Sequence, residues 1–591
     1  MFTTRPEIVG SVGMVTSSHW LASATGMSIL EQGGNAADAA VATGFVLQIV
    51  EPHLNGPGGD LPILVWSETE QRVDTICGQG VAPQAASVSR LTEFGLDLMP
   101  GTGLLPTVVP GSFDAWMLLL ERYGTMTPRE VLAPAIHYAA TGHPLQERVS
   151  AAIGTVETLF REEWPTSAAT WLPDGSVPTE GSHFTNPVLA ETFRRIVAES
   201  ESAGGSRERK VQAARNAWYR GFVAEAIGDY CATAEVMDTS GERHGGLLTA
   251  DDLAAWTATV EEPVTFDYHG YTVCKTGPWG QGPVFLQQLA LLEGFDLAEM
   301  GTGSVDWVHT IVESSKLAFA DREAWYGDPL FSDVPLGGLL SREYNDARRS
   351  LIGPSASLDL NPGSPGGRAP RLPRYPASTN ALEYAAGIGE PTVAPSGETR
   401  GDTCHVDVVD SSGMMISATP SGGWFQSSPT IPGLGFCLST RGQMFWVEEG
   451  LPNSLRPGAR PRTTLTPSFA LRDGQPWLAF GTPGGDAQDQ WTLQFFLNLV
   501  HGGMNLQEAL DAPGFHSTHM PSSFYPRDAH PGQVLMEGRF DQATIAELER
   551  RGHRVVVGGD WTEGYTTAVA RDQGWLKAAA SPRGKGYAVG R

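Results

Sequence analysis

Three residues that could act as a nucleophile or a base stand side by side in RGDTCHVDVVDSSG, residues 400–413. Thr403 offers a hydroxyl, Cys404 a thiol and His405 an imidazole. A weak nucleophile with an adjacent base is what cleavage through a covalent intermediate requires. Successive residues of a strand point to opposite faces, so immediate neighbours cannot share one site. The stretch therefore predicts a single nucleophile, and the partner strand should decide which residue it is.

The predicted hairpin register favours Thr403. DTCHVDVVD alternates like a strand, MMISATPS reads as a second strand, and Ser-Ser-Gly between them suits a three-residue loop, because glycine accepts the left-handed conformation. In this register Thr403 lies opposite the hydroxyl of Ser421. Cys404 lies opposite Pro420, which has neither an N–H nor a hydroxyl. A Cys404–His405 pair is the rival interpretation, and His405 is otherwise expected to be a packed strand residue.

A second feature suits the stabilisation of negative charge. LAFGTPGGDAQDQWTLQFFLNLVHGG predicts a buried strand, a turn at Gly484 and Gly485, and a long helix with Asp486 as N-cap. Backbone N–H groups beside a helix N-terminus can hold an oxyanion. The same strand–turn–helix pattern is also common as a simple turn, and that alternative stays open at this point.

The surrounding elements are mixed strands and helices, so we expect an α/β or α+β protein. Asn35 should cap a helix after the Gly-Gly of EQGGNAADAAVA, and Thr127 with Pro128 should begin another. LPILVWS reads as a buried strand. Residues 353–400 hold eight prolines and show little periodicity, which predicts a linker or a long surface excursion.

Charge and cysteine content exclude several classes of function. The chain has 40 Lys and Arg against 66 Asp and Glu, a net charge of −26 without basic clusters, which argues against nucleic acid or an anionic membrane as partner. Five scattered cysteines without CxxC spacing favour neither disulfides nor zinc. No secretory or membrane-spanning segment is seen. We therefore expect a cytoplasmic protein without metal or cofactor.

Several motifs in this order resemble the γ-glutamyltranspeptidase family of N-terminal nucleophile hydrolases. They are EQGGNAADAAVA, QGPVFLQQLALLEGFDL, KLAFADREAWYGDP, DTCHVDVVD, RPRTTLTPS and GTPGGD. The resemblance implies a four-layer αββα sandwich and a precursor that cleaves itself between Asp402 and Thr403. The products would be a large subunit, 1–402, in which 353–400 leads to the cleavage site, and a small catalytic subunit, 403–591, which stay associated.

The resemblance also implies roles for individual residues. Thr403 would be the nucleophile, and its new α-amine, with a reference pKa of about 8, the base. Ser421 matches the hydroxyl that hydrogen-bonds the nucleophile, and Gly484 and Gly485 match the oxyanion-hole glycines. A serine pair at the substrate pocket is matched by two threonines, Thr463 and Thr464. The implied reaction cleaves a small-molecule amide, a γ-glutamyl or related N-acyl amide, through an acyl-enzyme, which passes its acyl group to water or an amine.

Three recognition positions depart from the family pattern. Gln79 stands where the resemblance expects an arginine, Gly423 where it expects an asparagine, and Trp446 where it expects an aspartate. Losing a charged partner for a buried charge costs about 2–5 kcal/mol, so we expect an acyl group other than an ordinary γ-glutamyl group. Amidases of the cephalosporin-acylase or oxamate-amidohydrolase type are the alternative, and an unprocessed, non-catalytic relative is the alternative of another class. The sequence near these positions is rich in aromatic residues and arginines (Trp424, Phe425, Phe445, Arg441, Arg460 and Arg462).

Overall fold

The computed structural model describes residues 2–375 and 403–591 as two stacked antiparallel sheets with helices on both outer faces. The helices are α1 Trp20–Glu31, α2 Ala36–Val50, α3 Val88–Glu93, α4 Ser112–Tyr123, α5 Pro128–Thr141, α6 Glu147–Glu162, α7 Pro165–Trp171, α8 Pro187–Ser202, α9 Arg207–Tyr219, α10 Phe222–Thr233, α11 Ala250–Ala255, α12 Gly282–Leu292, α13 Leu297–Met300, α14 Val305–Trp325, α15 Leu336–Leu339, α16 Arg342–Arg349, α17 Gln488–Val500, α18 Leu506–Asp511 and α19 Gln542–Arg550.

The described strands come from both ends of the chain; fourteen of them build the two stacked sheets, and seven form three smaller sheets. They are β1 Ile8–Gly10, β2 Gly13–Ser17, β3 Leu61–Ser67, β4 Arg72–Gly78, β5 His143–Pro144, β6 His183–Phe184, β7 Val236–Met237, β8 Arg243–His244, β9 Thr259–Glu261, β10 Val264–Tyr268, β11 Tyr271–Lys275, β12 Val406–Asp410, β13 Met415–Ala418, β14 Ser468–Arg472, β15 Gln475–Gly481, β16 Phe515–Ser517, β17 Gln533–Met536, β18 Arg554–Val557, β19 Thr567–Asp572, β20 Trp575–Ala580 and β21 Tyr587–Gly590.

The two large sheets have seven strands each. The first sheet has the order β21-β2-β12-β13-β3-β4-β9, and the second has the order β1-β20-β19-β15-β14-β11-β10. Every pairing in both is antiparallel. Each sheet therefore combines strands that precede residue 376 with strands that follow residue 402.

Three hydrophobic layers hold the sheets and helices together. Side chains such as Trp66 of the first sheet and Phe469 of the second fill the space between the sheets. The outer face of the first sheet packs on α2 and its neighbours, and that of the second on α12, α14 and α17. Burying these faces removes apolar area from water, which is the main stabilising term. The arrangement confirms the four-layer αββα sandwich.

Local sequence signals placed most of the elements correctly. Asn35 caps α2 through a capping box with Asp38, and Thr127 does the same for α5 with Glu130, Pro128 being the first helical residue. The predicted N-cap at Asp486 is wrong. A short 3-10 turn, Gly485–Ala487, precedes α17, whose N-cap is Ala487.

Part of the proline-rich segment packs against the body of the protein. Residues 353–375 are irregular apart from a short 3-10 turn, Pro365–Gly367. Trp325 donates its indole N–H to the carbonyl of Gly363 at 3.1 Å, and Leu360 and Leu372 pack on the same cluster. These residues thus lie along the end of α14. The remaining lead-in, 376–400, and the expected cleavage residue Asp402 lie outside the described residues.

The five cysteines are buried and free. Among the helices described, we find none with both the length and the apolar character that crossing a bilayer requires.

Candidate active site

The hairpin β12–β13 has the predicted register. Val406 pairs with Ala418, and beyond the ladder an isolated antiparallel bridge joins Thr403 to Ser421. The two hydroxyl oxygens, Thr403 Oγ1 and Ser421 Oγ, lie 3.1 Å apart in a buried environment. This is hydrogen-bond distance, so the geometry couples the two hydroxyls that the sequence paired.

An arginine that the sequence had not assigned to this site holds the second hydroxyl. Arg441 lies on a 3-10 turn, Arg441–Met444, and its Nη2 donates to Ser421 Oγ at 2.6 Å. Its Nε donates to Asp60 Oδ2 at 3.0 Å. The guanidinium is fully buried and lies over the rings of Trp424, at 5.0 Å, and Phe524, at 5.8 Å. A positive charge is therefore fixed two hydrogen bonds away from the Thr403 hydroxyl.

The loop NGPGGD, residues 55–60, brings Asp60 to this place. Asp60 and Ser421 exchange backbone hydrogen bonds of 2.7 and 3.1 Å, and Ser439 donates its hydroxyl to Asp60 Oδ2 at 2.8 Å. A Cβ on Gly59 would lie 2.2 Å from the Ser421 carbonyl oxygen, so only glycine permits this approach. Burial, opposed by the Arg441 charge, raises the pKa of Asp60 to about 6.

Cys404 faces away from this pair. Its Sγ donates to Glu51 Oε2 at 3.2 Å and accepts from the Asn55 amide at 3.1 Å, while its backbone N–H donates to Pro420. Burial, together with the neighbouring Glu51 carboxyl, raises the pKa of the Cys404 thiol well above its ordinary value. A thiol held in its protonated form is a poor nucleophile, which argues against the rival Cys404–His405 pair.

Both ring nitrogens of the buried His405 lie at hydrogen-bond distance from polar side chains. Its Nδ1 is 2.9 Å from Thr419 Oγ1 and its Nε2 is 2.8 Å from Asp407 Oδ1. Alternate strand residues share a face, so the register puts the pairs Thr403–Ser421 and His405–Thr419 on one face of the hairpin. A buried polar row therefore continues inward from the Thr403 hydroxyl. In the sequence this polar row is visible as threonine, histidine and aspartate at every second position.

The glycine turn begins beside the same hairpin. Gly481, the last residue of β15, is so close to the His405 ring that an added Cβ would lie 2.2 Å from it. Gly484 and Gly485 follow with φ values of 126° and 48°. A Cβ on Gly484 would lie 2.2 Å from the Trp491 ring. Conformation and packing both demand glycine at this position.

Asp486 fixes the turn instead of capping the helix. Its carboxylate forms an ion pair with Arg322 and accepts from the backbone N–H and hydroxyl of Ser523, each at 2.7 Å. Burial alone would raise the pKa of Asp486, but the Arg322 guanidinium and the hydrogen bonds from Ser523 together outweigh it and hold that pKa below its usual value. The turn is thereby anchored to α14 and to the loop that carries Phe524, which contacts Arg441.

The predicted substrate-binding residues are buried, and three of them have an unpaired polar atom. Gln79 Oε1, Thr464 Oγ1 and Trp446 Nε1 find no hydrogen-bond partner within the described ranges. The backbone of Thr463 is held in place, because its N–H donates to the Trp279 carbonyl at 3.0 Å. Unpaired buried polar atoms are uncommon in folded proteins, and each of them requires an explanation.

Gly423 belongs to the contact between Ser421 and the NGPGGD loop. Its φ is 68°, and a Cβ there would approach the Cys437 oxygen and the Gly59 nitrogen to 3.0 Å. No side chain can therefore reach a substrate from this position without moving the loop.

Basic side chains outnumber acidic ones behind Trp446. Arg322 and Arg462 both pair with Glu323, at 2.9 and 2.7 Å. Arg527 lies over the Trp446 ring at 4.4 Å and donates to the backbone carbonyls of Gln443 and Phe445. Burial, helped by Arg462, lowers the pKa of Arg527 to about 9, so it remains charged at neutral pH.

One group of side chains has the spacing of a metal site. His309, Glu313 and His553 offer ligand atoms within 4.8 Å of one another. The two imidazoles hydrogen-bond each other at 2.8 Å, and the Lys316 ammonium lies 2.5 Å from Glu313. A lysine in that place competes with a metal cation for the carboxylate.

Comparisons with known proteins identify relatives of the whole chain. The family model described as Gamma-glutamyltranspeptidase matches residues 22–591. The glutathione hydrolase-like YwrD proenzyme of Bacillus subtilis (strain 168) is 30% identical over 591 residues, covering 99% of each chain. Other relatives are named acylase and oxamate amidohydrolase proenzymes.

Solved structures share the whole fold. The cephalosporin acylase from Bacillus halodurans superposes with a TM-score of 0.83 at 30% identity, covering 100% of this chain and 97% of the other. The structure of LmbA2991HD superposes with a TM-score of 0.93 at 55% identity, covering 100% of both chains.

Proposed function

We propose that Thr403 is the nucleophile of this chain, which belongs to the γ-glutamyltranspeptidase family and is an amide hydrolase or transferase of that family. The observation that carries the proposal is the 3.1 Å contact between Thr403 Oγ1 and Ser421 Oγ, with Arg441 donating to the same Ser421 oxygen. A hydroxyl that is oriented by a second hydroxyl and lies near a fixed positive charge can develop negative charge at low cost.

The chain would first process itself between Asp402 and Thr403. Thr403 Oγ1 attacks the carbonyl carbon of Asp402, the C–N bond breaks, and an ester with a free α-amine results. Water then hydrolyses the ester and regenerates the hydroxyl. The strand composition of the two sheets supports lasting association of the products 1–402 and 403–591, because each sheet draws on both.

The processed enzyme would cleave an amide by the same chemistry. The α-amine of Thr403 accepts the hydroxyl proton, Oγ1 bonds to the amide carbon, and the leaving amine takes the proton as the C–N bond breaks. The N–H groups of Gly484 and Gly485 would hold the carbonyl oxygen during this step. Water or an amine then accepts the acyl group.

The acyl pocket would be lined by Gln79, Thr463, Thr464 and Trp446, with Gly423 supporting the wall. None of these side chains is charged, while arginines lie behind Trp446. This composition supports an acyl group other than an ordinary γ-glutamyl group, as in the acylases and oxamate amidohydrolase among the relatives.

Denaturing electrophoresis and a substrate panel test the proposal. The purified chain should give two bands, corresponding to 1–402 and 403–591, and Thr403→Ala should give one. Simple N-acyl anilides should be hydrolysed faster than a γ-glutamyl anilide. Cleavage of Thr403→Ala at the same bond would rule out the proposed nucleophile. A wild-type chain that stays intact and inactive would favour a non-catalytic relative.

A further inference from the structure

We propose that Gln281, in the loop 275–281 between β11 and α12, is a positioning residue for the oxyanion hole. This inference rests on the proposed function, because it requires that the N–H groups of Gly484 and Gly485 hold the carbonyl oxygen of the substrate. The role is one of orientation, since Gln281 contacts the carbonyl of the glycine turn and not the reacting atoms.

The carboxamide of Gln281 holds the turn at two points. Its Nε2 donates to the Gly485 carbonyl at 3.4 Å, and its Oε1 accepts from Arg322 Nη1 at 2.7 Å. The same Arg322 nitrogen forms the ion pair with Asp486, the next residue of the turn. The Gln281 side chain is fully buried. One amide group therefore connects the Gly485 backbone with the charge pair that anchors Asp486.

Two consecutive glycines require such support. Without a Cβ, Gly484 and Gly485 have the least restrained backbone dihedral angles of any residue type. Their N–H groups stabilise a developing oxyanion only if they already point at it before the reaction. The Trp491 ring restrains Gly484, because an added Cβ there would lie 2.2 Å from the ring. The hydrogen bond from Gln281 supplies the corresponding restraint on Gly485.

The other end of the loop 275–281 is fixed by a buried ion pair. Lys275, the last residue of β11, lies with its Nζ 2.8 Å from Asp489 Oδ1, and neither side chain is exposed. The same ammonium donates to the Thr466 carbonyl at 3.2 Å and to the Ser468 hydroxyl at 2.8 Å. An ammonium has three N–H donors, so these contacts use all of them. Because Asp489 is the second residue of α17, the loop is bound to the helix that follows the glycine turn.

The middle of the loop contacts the threonine segment of the predicted acyl pocket. Gly280 pairs with Thr463 in a parallel bridge, and the Thr463 N–H donates to the Trp279 carbonyl at 3.0 Å. The loop 275–281 thus touches both the pocket and the oxyanion turn. It precedes the expected cleavage bond, whereas both of its contacts follow that bond. The large subunit would therefore set the orientation of a hole whose N–H groups belong to the small subunit.

Replacing the amide tests the role of Gln281. Processed Gln281→Leu should lose about tenfold in kcat on an anilide, with KM within about twofold of wild type, because a misdirected group mainly affects the reacting step. Gln281→Glu separates the two contacts of the amide. Its carboxylate can still pair with Arg322, but it has no N–H for the Gly485 carbonyl, so its kcat should fall at least as far.

The matched control is Gln287→Leu. Gln287 is a fully buried glutamine of α12 that donates to Asp321 Oδ2 at 2.6 Å, so the chemical change is the same without a contact to the turn. Its kcat should equal that of wild type. Equal losses of kcat in Gln281→Leu and Gln287→Leu would overturn the positioning role. A wild-type kcat in Gln281→Glu would overturn it as well, because the donor to Gly485 would then be dispensable.

Hydrogen exchange separates this inference from the proposed function, because it needs neither self-cleavage nor turnover. In a Thr403→Ala background, the amides of residues 484–488 should exchange at least about fivefold faster with Gln281→Leu than without it, and at the unchanged rate with Gln287→Leu. Unchanged exchange with Gln281→Leu would overturn the positioning role even in an active enzyme. Faster exchange in a protein whose wild type cleaves no amide would support the restraint on Gly485 and refute the proposed function. Should Gln281→Leu fail to fold, Gln281→Glu takes its place in the comparison.

Discussion

Thr403 and Ser421 place their hydroxyl oxygens 3.1 Å apart across a hairpin, and Arg441 reaches the same point from a different part of the chain. The contact joins a predicted nucleophile to a hydroxyl that is itself held by a buried ion pair.

Ser421→Ala should slow both self-cleavage and amide turnover by roughly a hundredfold, within the range for a lost proton-transfer or orienting group. The variant removes the hydroxyl that links Arg441 to Thr403. A time course of band formation on a denaturing gel and kcat on an anilide measure the two effects. Ser417→Ala is the control, because Ser417 lies on the same hairpin and donates to the Phe480 carbonyl at 3.1 Å. Equal rates in the two variants would show that the Ser421 hydroxyl is dispensable.

Gly484→Ala should destabilise the fold by more than about 2 kcal/mol and abolish turnover. A left-handed φ costs roughly 1–2 kcal/mol in a residue with a Cβ, and the new methyl group would also meet the Trp491 ring. Urea unfolding in an uncut Thr403→Ala background measures the stability change. Gly474→Ala is the control, since its φ is 74° with nothing within 4 Å of an added Cβ. If both variants lose the same stability, packing against Trp491 contributes nothing.

Asp60→Asn should change how stability depends on pH. The pKa of Asp60 is about 6 in the folded protein and about 4 in an unfolded chain. Folding therefore takes up a proton here between these values, and the resulting stability is full below pH 4 and lost as the pH rises through 6. The free energy of unfolding of the Thr403→Ala chain, relative to the same chain with Asp60→Asn, should fall by about 1–3 kcal/mol from pH 4 to 7. A constant difference would contradict the raised pKa.

Cys404→Ser should be cut and should turn over substrate within about threefold of wild type. Its Sγ faces Glu51 and Asn55, and a serine hydroxyl can keep both contacts. Gel processing and kcat/KM on an anilide measure this, with Thr403→Ala as the inactive reference. An uncut and inactive Cys404→Ser chain that remains folded would restore the cysteine as a candidate nucleophile.

The local parts of the site followed from local signals in the sequence. Strand alternation and a Ser-Ser-Gly loop were enough to pair Thr403 with Ser421, because a hairpin of that loop length leaves one register. The capping boxes of α2 and α5 depend on residues three apart, which the sequence shows directly. The prediction that Asp486 caps α17 was wrong, because the Asp486 carboxylate forms an ion pair with Arg322 in the distant helix α14.

The sequence by itself determined the family resemblance, the hairpin register and the glycines that the turns require. Each of these depends on periodicity, spacing or backbone freedom within a short stretch. Only the tertiary structure decided that Arg441 and Asp60, 381 residues apart, meet beside Ser421. It also decided that Cys404 faces Glu51 and that arginines gather behind Trp446. These contacts depend on which elements the two sheets bring together, and no local pattern encodes that.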